Sequence, residues 1–193
     1  MVRSARAACL VMVALLVSQA GLALADSFLP KDFDQLVGEA EEIFVGTLTA
    51  TSSSRLPTGA IVTDLTFSGV RAIKGGSTSD VRTVRILGGT IDGVSMKVAG
   101  IPDFEVGRTY LLFSKENGRA IFPFVGGPQG VFQIVQDSTT RTESVFDARG
   151  NPMIGPVGGS ATPDRQAVAP GGQSGPPVSL DVFIQAIRDR LPQ

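Results

Sequence analysis

The stretch AIVTDLTFSGVRAIK, residues 60–74, decides the fold because its apolar side chains recur at every second position. Ile61, Leu65 and Phe67 share one face of an extended chain, a spacing that is typical of a half-buried strand. Gly69 lies in the middle of this run, where it permits the bend or bulge that the corner of a barrel requires. We therefore predict one long, bent strand of an antiparallel β domain.

The same alternation continues on both sides of residues 60–74 and predicts a mainly β domain rich in Val, Ile, Thr and Phe. Gly-containing turns separate the segments, and Lys115 to Gly118 reads as a hairpin turn. The predicted strands are 42–51, 60–73, 80–87, 94–98, 108–114, 119–123, 130–136 and 143–148.

Two amphipathic segments predict helices at the two ends of this β domain. Phe33, Leu36, Val37 and Ala40 have helical spacing near the start of the domain. Near the end of the chain, SLDVFIQAIRDRL, residues 179–191, carries an apolar stripe behind a serine N-cap. This last helix either packs on its own barrel or is the surface that a partner binds.

The chain divides by composition into four parts. Residues 1–25 read as a signal peptide, with a basic start, a short apolar core and the small residues Ala23 and Ala25 before the expected cleavage. The β domain with its leading helix follows at 26–154. Residues 155–177 hold six glycines and five prolines, which predicts a flexible linker before the helix at 178–193. The expected location is secreted or periplasmic, without stable membrane insertion.

Charge and composition remove several classes of function. Without Arg3 and Arg6, the mature chain has 15 basic and 18 acidic residues, so its surface does not favour nucleic acid. The chain has no histidine, and its one cysteine, Cys9, belongs to the signal peptide. Ser-His-Asp catalysis and zinc sites built on His or Cys are therefore excluded. We expect no catalytic residue, no metal and no cofactor.

The local patterns that resemble functional motifs are better explained as structure. In Lys74-Gly75-Gly76 the glycines follow the lysine and a strand comes next, whereas a P-loop places its glycines before a lysine that opens a helix. The pairs Gly88-Gly89 and Gly126-Gly127 read as loop geometry. Glu41 and Glu42 are adjacent and should point apart, and Arg82 and Arg85 should face opposite sides of the sheet.

Five segments together resemble the netrin-like domain of the tissue-inhibitor-of-metalloproteinases type, and also exported bacterial proteins with this arrangement of strands. They are AEEIFVGTLTA, VTDLTFSGVRAIKGG, VRTVRILGG, GVSMKVAG and FEVGRTYLLFSKENGRAIF, and the resemblance covers about residues 40–136. The resemblance implies an OB-like antiparallel barrel of five to six strands, closed or nearly closed, with an additional hairpin.

The resemblance also implies where a partner would bind. Such inhibitors seat an N-terminal cysteine on the zinc of a metalloproteinase, and a neighbouring loop braces the contact. This chain has Asp26 at that position, so the inhibitory mechanism does not carry over. The segments that correspond to this contact surface remain as candidates: Asp26, Ser27, Thr90, Ile91, Asp92 and Gly93.

We therefore expect an exported, non-enzymatic module that binds or inhibits another exported or cell-envelope protein through its barrel loops. Two alternatives stay open. One is a secreted hydrolase that uses two carboxylates, and the other is an OB module that binds oligosaccharide or nucleic acid along its open face.

Overall fold

The computed structural model describes residues 28–76, 78–120, 122–155 and 175–192. The predicted signal peptide, Asp26, Ser27 and residues 156–174 of the predicted linker lie outside this part of the chain. The elements are helix α1 (Phe33–Glu39), strands β1 (Glu42–Arg55), β2 (Ile61–Lys74), β3 (Val81–Leu87), β4 (Gly89–Ile91), β5 (Val94–Met96), β6 (Thr109–Ser114), β7 (Val131–Gln136) and β8 (Glu143–Asp147), a 3-10 turn (Gly127–Gly130), and helix α2 (Leu180–Arg188).

The fold is mainly β, as predicted, and its centre is a six-stranded antiparallel sheet in the order β3-β2-β1-β6-β7-β8. A separate two-stranded sheet joins β4 and β5. The pairing of β1 with β2 shifts register between Val45 and Thr47, opposite Arg71 and Ser68. Gly69 lies in this irregularity with a φ of 62°, so the predicted bulge in the long strand is confirmed.

The expected closed barrel is not formed by strand pairing. Within the described residues no ladder joins the two edge strands, β3 and β8. The strand predicted at 119–123 is also wrong, because the described residues of this segment form no strand. An isolated bridge from Ser114 to Phe124 follows it. The chain after β6 reaches the edge of β3 instead, where the Asn117 amide donates to the Thr83 carbonyl (2.7 Å) and accepts from the Arg85 amide (2.9 Å).

Both helices cover one face of the sheet and share what we call the helix-side core. Asp32 and Gln35 form a capping box at the start of α1, and Ser179 caps α2. The Phe183 ring of α2 lies 5.2 Å from the ring of Phe33 and 5.0 Å from that of Phe132. The last helix therefore packs on its own sheet, which settles the choice left open by its amphipathic pattern.

The segments that flank the Gly/Pro-rich tract meet at the edge of β8. The Val178 amide donates to the Met153 carbonyl at 2.7 Å, and Ile154 bridges to Pro177. The Val145 amide of β8 donates in turn to the Val178 carbonyl at 2.9 Å. The approach to α2 is thus hydrogen-bonded to the sheet, and this helix belongs to the same folded unit.

The opposite face of the sheet encloses a second cluster, which we call the inner core. Phe67 is its central aromatic residue, in edge contact with the rings of Phe44, Phe104 and Tyr110. The Tyr110 hydroxyl accepts a hydrogen bond from the Glu105 amide at 2.8 Å, and burial raises the pKa of this phenol. Irregular segments, not helices, cover the inner core. Its members are Phe44, Leu48, Leu65, Phe67, Val84, Ile86, Tyr110, Leu112, Phe124 and Val131.

No helix among the described residues has the length and apolar character needed to cross a membrane.

Candidate functional site

A cleft opens at one end of the inner core, between β1 to β3, the β4–β5 hairpin and the segment 97–104. Its volume is about 500 Å³, which lies in the range of small-molecule binding sites. It is a candidate site because Ile101 and Phe104, which pack on the inner core and are partly exposed, line it.

The floor of the cleft is apolar and continuous with the inner core. Leu65 and Ile86 lie at the bottom, and both are buried members of the inner core. Ile101 and Phe104 pack against the same cluster from the covering segment and are partly exposed. An apolar group that enters the cleft therefore meets a surface that already belongs to a packed interior.

Hydroxyl groups line the walls of the cleft, and they are bonded to one another in pairs. The Ser53 and Thr63 hydroxyls lie 2.9 Å apart, and Thr63 Oγ1 also donates to the Gly88 carbonyl at 2.7 Å. Thr90 and Ser95 form the second hydroxyl pair at 2.8 Å, across the β4–β5 hairpin. Each hydroxyl has two acceptor lone pairs, so these walls keep hydrogen-bonding capacity for a ligand.

Gly88 and Gly89 bring β3 into the hairpin and shape the rim of the cleft. Their φ angles are 100° and 133°, a conformation that only glycine adopts readily. A Cβ on Gly89 would overlap Thr63 Oγ1 and lie 2.7 Å from Ser53 Oγ. A Cβ on Gly88 would lie 2.8 Å from the Met96 carbonyl oxygen, so both glycines allow close approach to the protein's own atoms, in agreement with their interpretation as loop geometry.

The β4–β5 hairpin holds the four predicted binding residues that the structure describes. Asp92 and Gly93 both have positive φ (51° and 75°), which is the conformation of a two-residue type I′ turn. Thr90 lines the cleft, while Ile91 precedes the turn. Val94 directly follows the turn and is 51% exposed. Val94 pairs with Ile91, so it lies on the face of the hairpin opposite to that of Thr90 and Ser95, which line the cleft.

The charges at the cleft cancel. Lys97 and Asp103 form an ion pair at 3.5 Å, and their side chains are 81% and 86% exposed. Among the described lining residues they are the only two with ionisable side chains. The site thus offers no net charge for a charged ligand to match.

The carboxylates considered as an acid-base pair do point apart. Glu42 pairs with Arg82, with Oε1 and Nε 2.5 Å apart, whereas Glu41 accepts from the Glu116 amide at 3.0 Å. Arg85 binds Asp64 through two bonds of 2.7 Å, so Arg82 and Arg85 have separate partners and form no joint anion site.

Among the described residues, three carboxyl groups have shifted pKa values, and none of them lines the cleft. The hydrogen bond from Lys31 lowers the pKa of Glu39, the bond from Arg85 lowers that of Asp64, and the backbone amides of Thr140 and Thr139 lower that of Asp137. A general acid at neutral pH requires a raised pKa. These groups are therefore stabilised as anions in structural roles.

Lys74-Gly75-Gly76 is a turn, as predicted. Lys74 Nζ donates to the carbonyls of Val37 (2.7 Å) and Gly38 (3.0 Å), at the C-terminus of α1. A Cβ on Gly75 would overlap the Glu41 carbonyl oxygen. The lysine thus satisfies helix carbonyls that would otherwise lack intrahelical partners.

The hydroxyl walls and the Phe104 side of the cleft are the parts that sequence reasoning missed. TSSS at residues 51–54 was available as a signal, because alternate hydroxyls on a strand must share one face. No group of three or more Asp, Glu, His or Cys side chains that could hold a metal ion occurs in the described part of the chain.

Comparison with protein-family models, with curated proteins and with solved structures finds no match to this chain.

Proposed function

We propose that this chain is an exported, non-enzymatic module that binds another exported or cell-envelope protein through the β4–β5 hairpin and the cleft beside it. The observation that carries the proposal is an uncharged cleft with an apolar floor, bordered by a hairpin whose other face exposes Val94. Concave surfaces that are mostly apolar and carry a few polar groups are typical of binding sites.

The proposal includes an OB-like relationship of the netrin type. The long bent strands β1 and β2, the bulge at Gly69 and the extra hairpin are the features that support it. The bond from Asn117 to the edge of β3 brings the chain after β6 to the open side of the sheet. A few side-chain hydrogen bonds there stand in for the strand pairing that a closed barrel would have.

The hydrolase alternative has less support from the geometry. A glycosidase-like mechanism needs two carboxyl groups about 5 to 10 Å apart across the cleft. The described lining contains one carboxylate, Asp103, and it is paired with Lys97 at the exposed mouth.

The nucleic-acid alternative has less support for a related reason. Binding to a phosphate backbone requires several unpaired basic groups along a groove. Lys97 is the only basic residue in the described lining, and Asp103 neutralises it.

The proposal is tested by affinity capture from the envelope and medium of the producing cell, with the mature chain as bait. Val94→Asp places a charge in the proposed contact, and Val182→Asp is the matched control, since Val182 is 50% exposed on α2. We expect the wild type and Val182→Asp to retain the same protein, and Val94→Asp to lose it by about tenfold or more, which corresponds to about 1.4 kcal/mol. Capture of nothing, or equal capture by all three baits, would contradict the proposal.

A further inference from the structure

We infer that the cleft accepts one uncharged, apolar side chain of the partner, together with the peptide groups on either side of it. This inference rests on the proposed function and names the part of the partner that the cleft recognises.

The partner side chain that enters the cleft, which we call the anchor, is inferred to be apolar because the floor of the cleft is apolar. Leu65 is 1% exposed and Ile86 is 8% exposed, so both already pack in the inner core. Phe104 contacts the rings of Phe67, Tyr110 and Phe124 and leaves part of its surface to solvent. A side chain on this floor extends an existing apolar cluster and removes further apolar surface from water.

The walls fit peptide groups better than they fit a second apolar group. Thr90 and Ser95 at the hairpin, and Ser53 and Thr63 on the long strands, present hydroxyls above the apolar floor. Thr63 donates its hydrogen to Gly88 and Ser53 donates to Thr63, so this pair can only accept from a peptide N–H. The Thr90–Ser95 pair keeps one O–H that can donate to a peptide C=O. The separation of an apolar floor from hydroxyl walls thus matches a side chain with its flanking backbone.

The charge of the site argues for an uncharged anchor. Lys97 and Asp103 satisfy each other at the mouth, and the described lining below them has no ionisable group. A charged side chain on the floor would lose its hydration without gaining an opposite charge.

A polyhydroxylated ligand fits less well than an apolar side chain. Eight of the described lining residues carry apolar side chains, and no Asn, Gln or Arg is among them. The lining therefore lacks the planar amide and guanidinium groups that make paired hydrogen bonds to a polar ligand. Its apolar members are Leu65, Ile86, Leu87, Met96, Val98, Ile101, Pro102 and Phe104.

The test uses single-residue probes, so it does not require the partner. The mature protein, labelled with ¹⁵N, is titrated by NMR with N-acetyl-phenylalaninamide, N-acetyl-leucinamide, N-acetyl-lysinamide, N-acetyl-glutamic acid amide and cellobiose. We expect the two apolar probes to bind with dissociation constants of about millimolar and to shift the amides of Gly88, Gly89 and Ile101. The charged probes and the disaccharide should bind about tenfold more weakly or not at all.

Two variants locate the binding. Thr51 lines the cleft and is exposed, so Thr51→Phe fills the site from an accessible strand position. Thr83→Phe is the control, since Thr83 is an exposed strand residue outside the described lining. We expect Thr51→Phe to weaken the apolar probes about tenfold, while Thr83→Phe leaves them unchanged. The dispersion of the NMR spectrum shows whether each variant is folded.

The results distinguish a failure of the inferred anchor from a failure of the proposed function. Equal binding of charged probes or cellobiose at the cleft, or the absence of any shift there, overturns the inference. If the probes fail while Val94→Asp still abolishes capture, the proposed function stands and only the anchor is wrong. If the probes bind but capture does not depend on Val94, the proposed function fails instead.

Discussion

The two faces of the central sheet are buried in different ways. On the helix-side core, α1 and α2 come from opposite ends of the domain and place Phe33 and Phe183 against the sheet. On the inner core, irregular segments do the covering, and glycines and hydroxyls replace large side chains at one end. The face that the helices cover holds the larger buried cluster, whereas the face that the loops cover opens into a cleft. This difference is the basis for proposing that the first face stabilises the fold and the second binds a partner.

The largest effect should come from removing an aromatic ring from the helix-side core. Phe183→Ala should lower the free energy of unfolding by about 3 to 5 kcal/mol, because the ring is fully buried between Phe33 and Phe132. Phe104→Ala should cost roughly half as much, since Phe104 is partly exposed at the cleft. Urea unfolding measures both.

A substitution at an exposed position of α2 is the control for Phe183→Ala. Val182→Ala lies on the same helix as Phe183 and should change stability by less than about 0.5 kcal/mol. A loss for Phe183→Ala as small as this would show that α2 does not hold the sheet in solution.

The next effect concerns the rim of the cleft. Gly89→Ala should destabilise the fold by about 2 kcal/mol, since the residue has a φ of 133° and a Cβ there overlaps Thr63 Oγ1. Gly38→Ala is the control in α1, where nothing lies within 4 Å of the new Cβ, and it should stabilise by about 0.5 to 1 kcal/mol. Thermal unfolding of both variants provides the measurement, and equal shifts would refute the close packing at the rim.

The smallest effect should come from the ion pair on the exposed side of β2 and β3. The bond from Arg85 lowers the folded pKa of Asp64, so the pair stabilises the fold above the unfolded pKa of about 3.9. This contribution is small because solvent screens a pair in which Arg85 is 45% exposed, and it is lost as the pH falls through the lower folded pKa.

Asp64→Asn should therefore be less stable than the wild type at pH 7, and the two should converge as the pH falls below the lowered folded pKa of Asp64. Unfolding in urea across this pH range measures the difference. A gap that stays constant with pH would show that the carboxylate charge is not what stabilises the pair.

The long strand β2 could be predicted because burial of one face produces the alternation of residues such as Ile61, Leu65 and Phe67. Strand β6 is buried on both faces and could be predicted from its continuous apolar run. Gly69 could be assigned to a bulge because glycine readily adopts the positive φ found there. The strand predicted at 119–123 failed because the path of this segment depends on Asn117, which bonds a strand more than thirty residues earlier in the chain. The alternation of apolar residues along the sequence does not reveal this contact.

The candidate site was predicted only in part. Thr90 to Gly93 could be placed in a loop between strands, and Asp92-Gly93 is a typical turn pair. The cleft itself could not be predicted, since Thr63 becomes a wall residue only through its bond to Gly88, 25 positions away. Pairs of this kind arise from tertiary packing and leave no periodic signal.

The most direct measurement of the binding role of the inner face is site-specific photo-crosslinking in the producing cell. A benzoylphenylalanine at position 94 reports on the hairpin beside the cleft, and one at position 182 reports on the exposed side of α2. We predict a discrete covalent adduct with a second protein from position 94 and none from position 182. An adduct from position 182 alone, or none from position 94, would contradict the assignment of recognition to the cleft.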